Sequence, residues 1–115
     1  MLASCLAAGA GAQDLTLKMS EEMLASGFDK QILPRFKFKH RVSVAPVTEG
    51  AADMAFGADG TRVFQEIDGA AVRLDILTGD GTAREKAALF LDWLKSRPGK
   101  AAVESFEVAG KPVYT

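Results

Sequence analysis

One histidine and one cysteine, His40 and Cys5, are present among 115 residues. His40 lies in the basic run Lys37-Phe38-Lys39-His40-Arg41, away from any serine placed as its nucleophile. Neither a serine triad nor a histidine-rich metal site is therefore supported. Paired acids, Glu21-Glu22 and Asp53 with Asp59, have the types needed for acid–base work, but carboxylates at solvated helix starts are already explained by the helix dipole. The glycine-rich stretches "GADGT" and "TGDGT" lack the lysine and the spacing of a phosphate-binding P-loop. The sequence thus predicts a protein that is not an enzyme and uses no metal or cofactor.

A composition of 48% hydrophobic and 25% charged residues over this length suits one domain with its own core. The formal net charge of −1 argues against a nucleic-acid partner or an anionic membrane, and no integral membrane span is expected. The basic run reads as the solvated end of a helix, where cations meet the negative pole of the dipole. Residues 1–12, "MLASCLAAGAGA", are small or apolar, uncharged, and end Ala10-Gly11-Ala12. That pattern reads as the tail of a secretory signal peptide, lacking the usual basic start, or else as a disordered Ala-rich arm; the first reading predicts that the domain of residues 13–115 is periplasmic or secreted. Leu2-Ala3-Ser4-Cys5 also fits a lipoprotein processing site with Cys5 as the lipid anchor.

The rest reads as alternating strands and helices. Leu15, Leu17 and Met19 alternate with Thr16 and Lys18 as a half-buried strand. Ser26-Gly27-Phe28-Asp29 has an N-cap serine with an acid three residues on, and Phe28, Ile32, Leu33 and Phe36 share the next helical face. Pro34 should kink that helix or shorten its last turn. Val42-Ser43-Val44-Ala45 is a second strand, and Thr48 caps a short Ala-rich helix that Gly57 ends. This order implies parallel pairing through a right-handed crossover. Thr61 to Ile67 and Val72 to Ile76, joined at Asp68-Gly69, form a β-hairpin. Thr82-Ala83-Arg84-Glu85 is a capping box opening a long helix with Ala87, Phe90, Leu91 and Leu94 as its stripe, widened by Leu89 and Trp93. Trp93 is a core anchor. Ser96 ends that helix and caps the next, Pro98 sits in its first turn, Val103 and Phe106 return to the core, and Gly110-Lys111-Pro112 starts an extended tail. The fold class is α/β, a small mixed sheet with a parallel β-α-β start, a hairpin and C-terminal helices.

"FLDWLKSRPGKAAVESFEVAGKPVY" resembles the closing segment of the solute-binding proteins of ABC transporters, F-x-x-W-L-x-S-x-x-G-Q-x-x-I-x-x-F-x-x-x-G-x-x-L-F, in the tungstate, molybdate and phosphate group. "SGFDKQILPRFKFKHRVSVAPVTEG" resembles the opening of the same family, S-G-L-L-D-x-L-L-P-x-F followed by a strand and G-T-G. Ser26, Gly27, Ile32, Leu33, Pro34 and Phe36 match, and Thr48 and Gly50 approximate the second loop. Members of that family are about twice as long, with two lobes closing on the ligand and both chain ends building the first. The resemblance therefore implies a single lobe, with an oxyanion as ligand and an ABC permease, or a second lobe or copy of itself, as partner.

An oxyanion is held by hydroxyls and by backbone N–H groups at helix starts. The resemblance places such a site at Ser20, Ser26, Gly27, Thr48 and Gly50, all of which also suit ordinary helix caps. Where the family has a Thr/Ser cluster this chain has Met19-Ser20-Glu21-Glu22, and Glu49 stands in the second loop. Three carboxylates there oppose an anion. Half the binding free energy of a closed nanomolar site would leave roughly 10–100 μM. The alternative is a lobe that has kept the fold, lost its ligand, and acts as a protein-interaction module.

Overall fold

The computed structural model describes residues 14–67 and 69–115. The expected leader, the expected lipid anchor at Cys5, and Asp68 lie outside the described residues. Strand β1 (Leu15–Lys18) has Leu15 and Leu17 buried, with Met19 just beyond it, while Thr16 and Lys18 point to the other face. Strands β2 (Val44–Val47) and β3 (Met54–Gly57) flank it in parallel, Leu15 opposite Val44 and Leu17 opposite Met54. Strand β5 (Ala71–Ile76) runs antiparallel to β3, and β4 (Thr61–Gln65) antiparallel to β5, giving a five-stranded sheet in the order β2-β1-β3-β5-β4.

Helices α1 (Glu21–Ser26), α2 (Phe28–His40), α3 (Gly81–Lys95) and α4 (Arg97–Glu104) supply the other layer. Phe28, Ile32, Leu33 and Phe36 of α2 and Ala87, Phe90, Trp93 and Leu94 of α3 join Leu15, Leu17, Met54 and Leu74 of the sheet in one buried cluster. All four helices thus serve the face carrying Leu15 and Leu17. Phe36 lies 5.0 Å from Phe90 and 5.6 Å from Trp93, ring to ring. Those contacts hold the end of α2, so the helix runs six residues past Pro34 to His40 and its last turn is not shortened.

Several local expectations are corrected. No helix follows Thr48: residues 48–53 return the chain to β3, and Met54 is fully buried as a strand residue. Asp53 fixes that return. Its carboxylate accepts from the Thr16 N–H (2.9 Å) and hydroxyl (3.3 Å), and its own N–H donates to Thr16 Oγ1 at 2.9 Å. Because Thr16 points away from the helices, this return crosses the opposite face from α1 and α2, giving a doubly wound start with a very short second crossover. Ser26 ends α1 rather than capping α2, whose N-cap is Gly27 at φ 87°. Asp80, not Thr82, caps α3, accepting from the Ala83 N–H at 2.9 Å. The second strand lies two residues later than expected, and Leu89 is 41% exposed rather than part of the stripe.

At the C-terminus the expectation for Ser96 holds. It ends α3 with its N–H on the Trp93 carbonyl (3.0 Å) and caps α4 by accepting from Gly99 N–H (3.5 Å), with Pro98 in the first turn. Gly99 is required by proximity, since a Cβ there would stand 1.9 Å from the Trp93 carbonyl oxygen. Gln31 of α2 donates to Ala102 O (2.9 Å) and Ser105 Oγ (3.0 Å), tying α2 to α4. Beyond α4, β6 (Glu107–Val108) and β7 (Lys111–Pro112) form a small hairpin turned by Ala109 and Gly110, both at positive φ. The final residues then run along the outer edge of β4, where Gln65 and Thr115 exchange N–H···O bonds of 3.0 and 2.8 Å. The opposite edge strand, β2, carries Pro46, which offers no N–H to an incoming strand.

Candidate functional site

From β1 the chain moves to one side through α1 and α2 to reach β2, while β3 lies on the other side. The C-terminal ends of β1 and β3 therefore flank a topological switch point, the position at which open α/β sheets form a crevice. Three segments enclose it here. Ser20 follows β1 and caps α1, accepting from the Met23 N–H at 3.1 Å. Phe56 and Gly57 end β3. The β4–β5 hairpin forms the third wall: β5 pairs Arg73 with Gly57, so Val72, Ala71 and the turn extend beyond the end of β3. The result is a cavity of about 290 Å³ lined by Ser20, Met23, Phe56, Gly57, Glu66 and Val72, with Ala58, Ala70 and Ala71 completing the wall.

Its lining is apolar apart from Ser20 and Glu66, and its charge is negative. Tyr114 is buried against Phe28 (4.6 Å) and Phe64 (4.8 Å), and its backbone bridges to Glu66. Burial pushes its phenol above the ordinary value of 10.0, and the carboxylates of Glu66 and then Glu22 push it further the same way. Both acids therefore act on Tyr114, and Glu21 stands beside Glu22 in the exposed first turn of α1. No cation lines the cavity. Lys18 and Arg73, the nearest basic residues along the strands, belong to the opposite face by alternation, and Arg73 is committed to the Gly60 carbonyl at 3.1 Å. An apolar pocket with anionic walls suits a neutral or cationic group and repels an anion.

Of the five residues proposed from the sequence, Ser20 alone lines this crevice. Ser26, exposed at the end of α1, donates its hydroxyl to the Met23 carbonyl at 2.7 Å. Gly27 forms the left-handed joint between α1 and α2, its N–H on the Leu24 carbonyl. Thr48 and Gly50 are exposed in the return after β2, at the same end of the sheet as Ser20. Glu66, Phe56, Gly57 and Val72 escape a reading by motif. The signal for them is indirect: an Asp-Gly hairpin long enough to overhang the ends of the parallel strands.

Cationic character gathers elsewhere. Arg62 of β4, Lys95 of α3 and Lys100 of α4 rim a groove of about 350 Å³ whose floor includes Val63, Phe64 and Val103, with Glu104 the one acidic side chain. His40 packs 5.1 Å from the Phe36 ring at the end of α2. Among the described residues no group of three or more His, Cys, Asp or Glu side chains is placed to hold a metal ion, and no helix is long and apolar enough to cross a membrane. No family model matches the chain, and neither a curated protein nor a solved structure does.

Proposed function

We propose that the chain is a secreted, non-enzymatic binding domain, built like one lobe of a solute-binding protein and working as a protein-interaction module. In this reading the crevice at the ends of β1 and β3 receives an apolar group of neutral or positive charge from a partner. The observation that carries it is the lining: apolar surface from Met23, Phe56 and Val72 with Glu66 at the wall and no cation. The lobe comparison draws support from the way the two arms of the chain close into one core, joined through Gln31 and α4.

The test is a titration of the chain with phenethylammonium, a phenyl ring bearing one cation, followed by calorimetry and amide chemical shifts. Saturable binding that moves the Ser20, Gly57 and Val72 amides, and that Glu66→Gln weakens several-fold, is the expected result. Binding unaffected by Glu66→Gln, or no binding, overturns the assignment.

A second reading keeps the oxyanion ligand and the ABC permease as partner, and one observation favours it: the groove where Arg62, Lys95 and Lys100 converge. Tungstate, molybdate, phosphate or sulfate would then bind with an affinity that Lys95→Gln with Lys100→Gln reduces and Ser26→Ala with Thr48→Ala does not.

A further inference from the structure

Phe38 is 88% exposed, far beyond the other exposed large hydrophobic residues, of which Leu77 at 49% is next. It projects from the last turns of α2 between Lys37 and Lys39, with Pro34, Pro98 and the edge of Trp93 forming an apolar hollow beside it and Arg35 at the rim. Arg41 caps the helix at φ 61°. Among the described residues none of these cations is within salt-bridge distance of a carboxylate, although the charge of Lys37 acts on Asp14; the ion pair found there is Lys86 with Asp14, at 2.9 Å. An exposed aromatic ring flanked by exposed cations, in a protein whose overall charge is −1, suits contact with an apolar, anionic site.

The chain itself carries the complement. The crevice has an apolar lining, a volume of about 290 Å³ that admits a phenyl ring, the acid Glu66 in its wall, and Glu22 in the helical turn between its lining residues Ser20 and Met23. The two features lie at opposite ends of the sheet. The crevice is at the C-terminal ends of β1 and β3, whereas α2 carries the chain back to the N-terminal end of β2, so Phe38 lies near that far end. One chain therefore leaves both features unfilled. We propose that copies of this chain associate head to tail, with Phe38 of one copy seated in the crevice of the next and its flanking lysines facing Glu22 and Glu66. This rests on the crevice reading above and names the partner as a second copy. Such a contact is heterologous, so it grows into a ring or an open chain rather than stopping at a two-fold dimer.

Sedimentation velocity of the full chain tests it over rising concentration at low and high salt. Expected are species larger than a dimer at about 50 mM salt, with association weakened about tenfold or more at about 500 mM as the charges are screened. Phe38→Ser, at a site with no packing role, should remain monomeric, and so should Glu22→Lys with Glu66→Lys. Mixing these two variants should restore a heterodimer and nothing larger, because one supplies only the crevice and the other only the ring. A monomer at every concentration, or Phe38→Ser associating like the natural chain, overturns the proposal. Should the charge-reversed variant fail to fold, the Phe38→Ser result decides alone. Phenethylammonium binding to the Phe38→Ser monomer separates the two readings: retained binding with no self-association of the natural chain removes only the head-to-tail contact, whereas its absence removes the crevice.

Discussion

Gly60 stands where the chain hops from β3 to β4 across β5, at φ +95°, and a Cβ there would lie 2.2 Å from the Leu74 carbonyl oxygen. Both the backbone conformation and the space exclude a side chain. Gly60→Ala should lose at least about 2 kcal/mol in urea unfolding, because either the hop or β5 must shift. Two titrating residues shape the pH limits of the fold. Asp14 accepts from the Ser43 N–H and from Lys86 Nζ, both at 2.9 Å, and these bonds hold its carboxyl below the ordinary 3.8. Its contribution is present above the unfolded carboxylate range and is lost as pH falls through the lowered folded value, so Asp14→Asn should flatten the stability curve below about pH 4. Tyr114 has the opposite sign. Its raised phenol stabilises the fold below about pH 10 and loses that contribution as pH rises through the folded value, and Tyr114→Phe should abolish this alkaline loss in thermal melts.

At the scale of elements, the junctions are more informative than the helices and strands they join. Gln31 bridges α2 to the last turn of α4, and Gln31→Ala should lower stability by about 1–2 kcal/mol while leaving far-UV circular dichroism unchanged. Elements with strong periodicity were legible from the residues alone: the Leu15-Leu17-Met19 alternation, the Phe28-Ile32-Leu33-Phe36 face, the hairpin, the α3 stripe and the double duty of Ser96 all carry their burial pattern locally. The stretch from Thr48 to Gly57 does not. Its alanines suit a helix, and what makes it a return and a strand is Asp53 meeting Thr16, 37 residues away in sequence. Asp80 and Thr82, two residues apart, both have the chemistry of a cap for α3, and only the bond to Ala83 distinguishes them. The crevice was legible only at Ser20. Its other walls are brought together by the register of β5 against β3, which no local pattern encodes.

For the molecule as a whole, the two ends of the chain are one structural unit. The C-terminal arm brings Ala102, Val103, Phe106 and Tyr114 into the same buried cluster as β1 and α2, and Tyr114 packs against Phe28 from the other end of the chain. The same arm covers the outer edge of β4 through Gln65 and Thr115. Removing it would expose Phe28 and Phe64, leave an unpaired sheet edge, and remove the backbone bridge that Tyr114 makes to Glu66. A chain ending at Ser96 should therefore fail to form a native core rather than fold as a smaller domain. Near-UV circular dichroism and calorimetry check this: loss of the aromatic signal and of the cooperative heat-absorption peak is expected. Adding residues 97–115 back as a separate peptide should restore both in part, because the cluster needs the contacts of that arm and not its covalent link to α3. A truncated chain that melts cooperatively by itself would mean that the core is closed by α2, α3 and the sheet alone, with the terminal arm an accessory to the crevice.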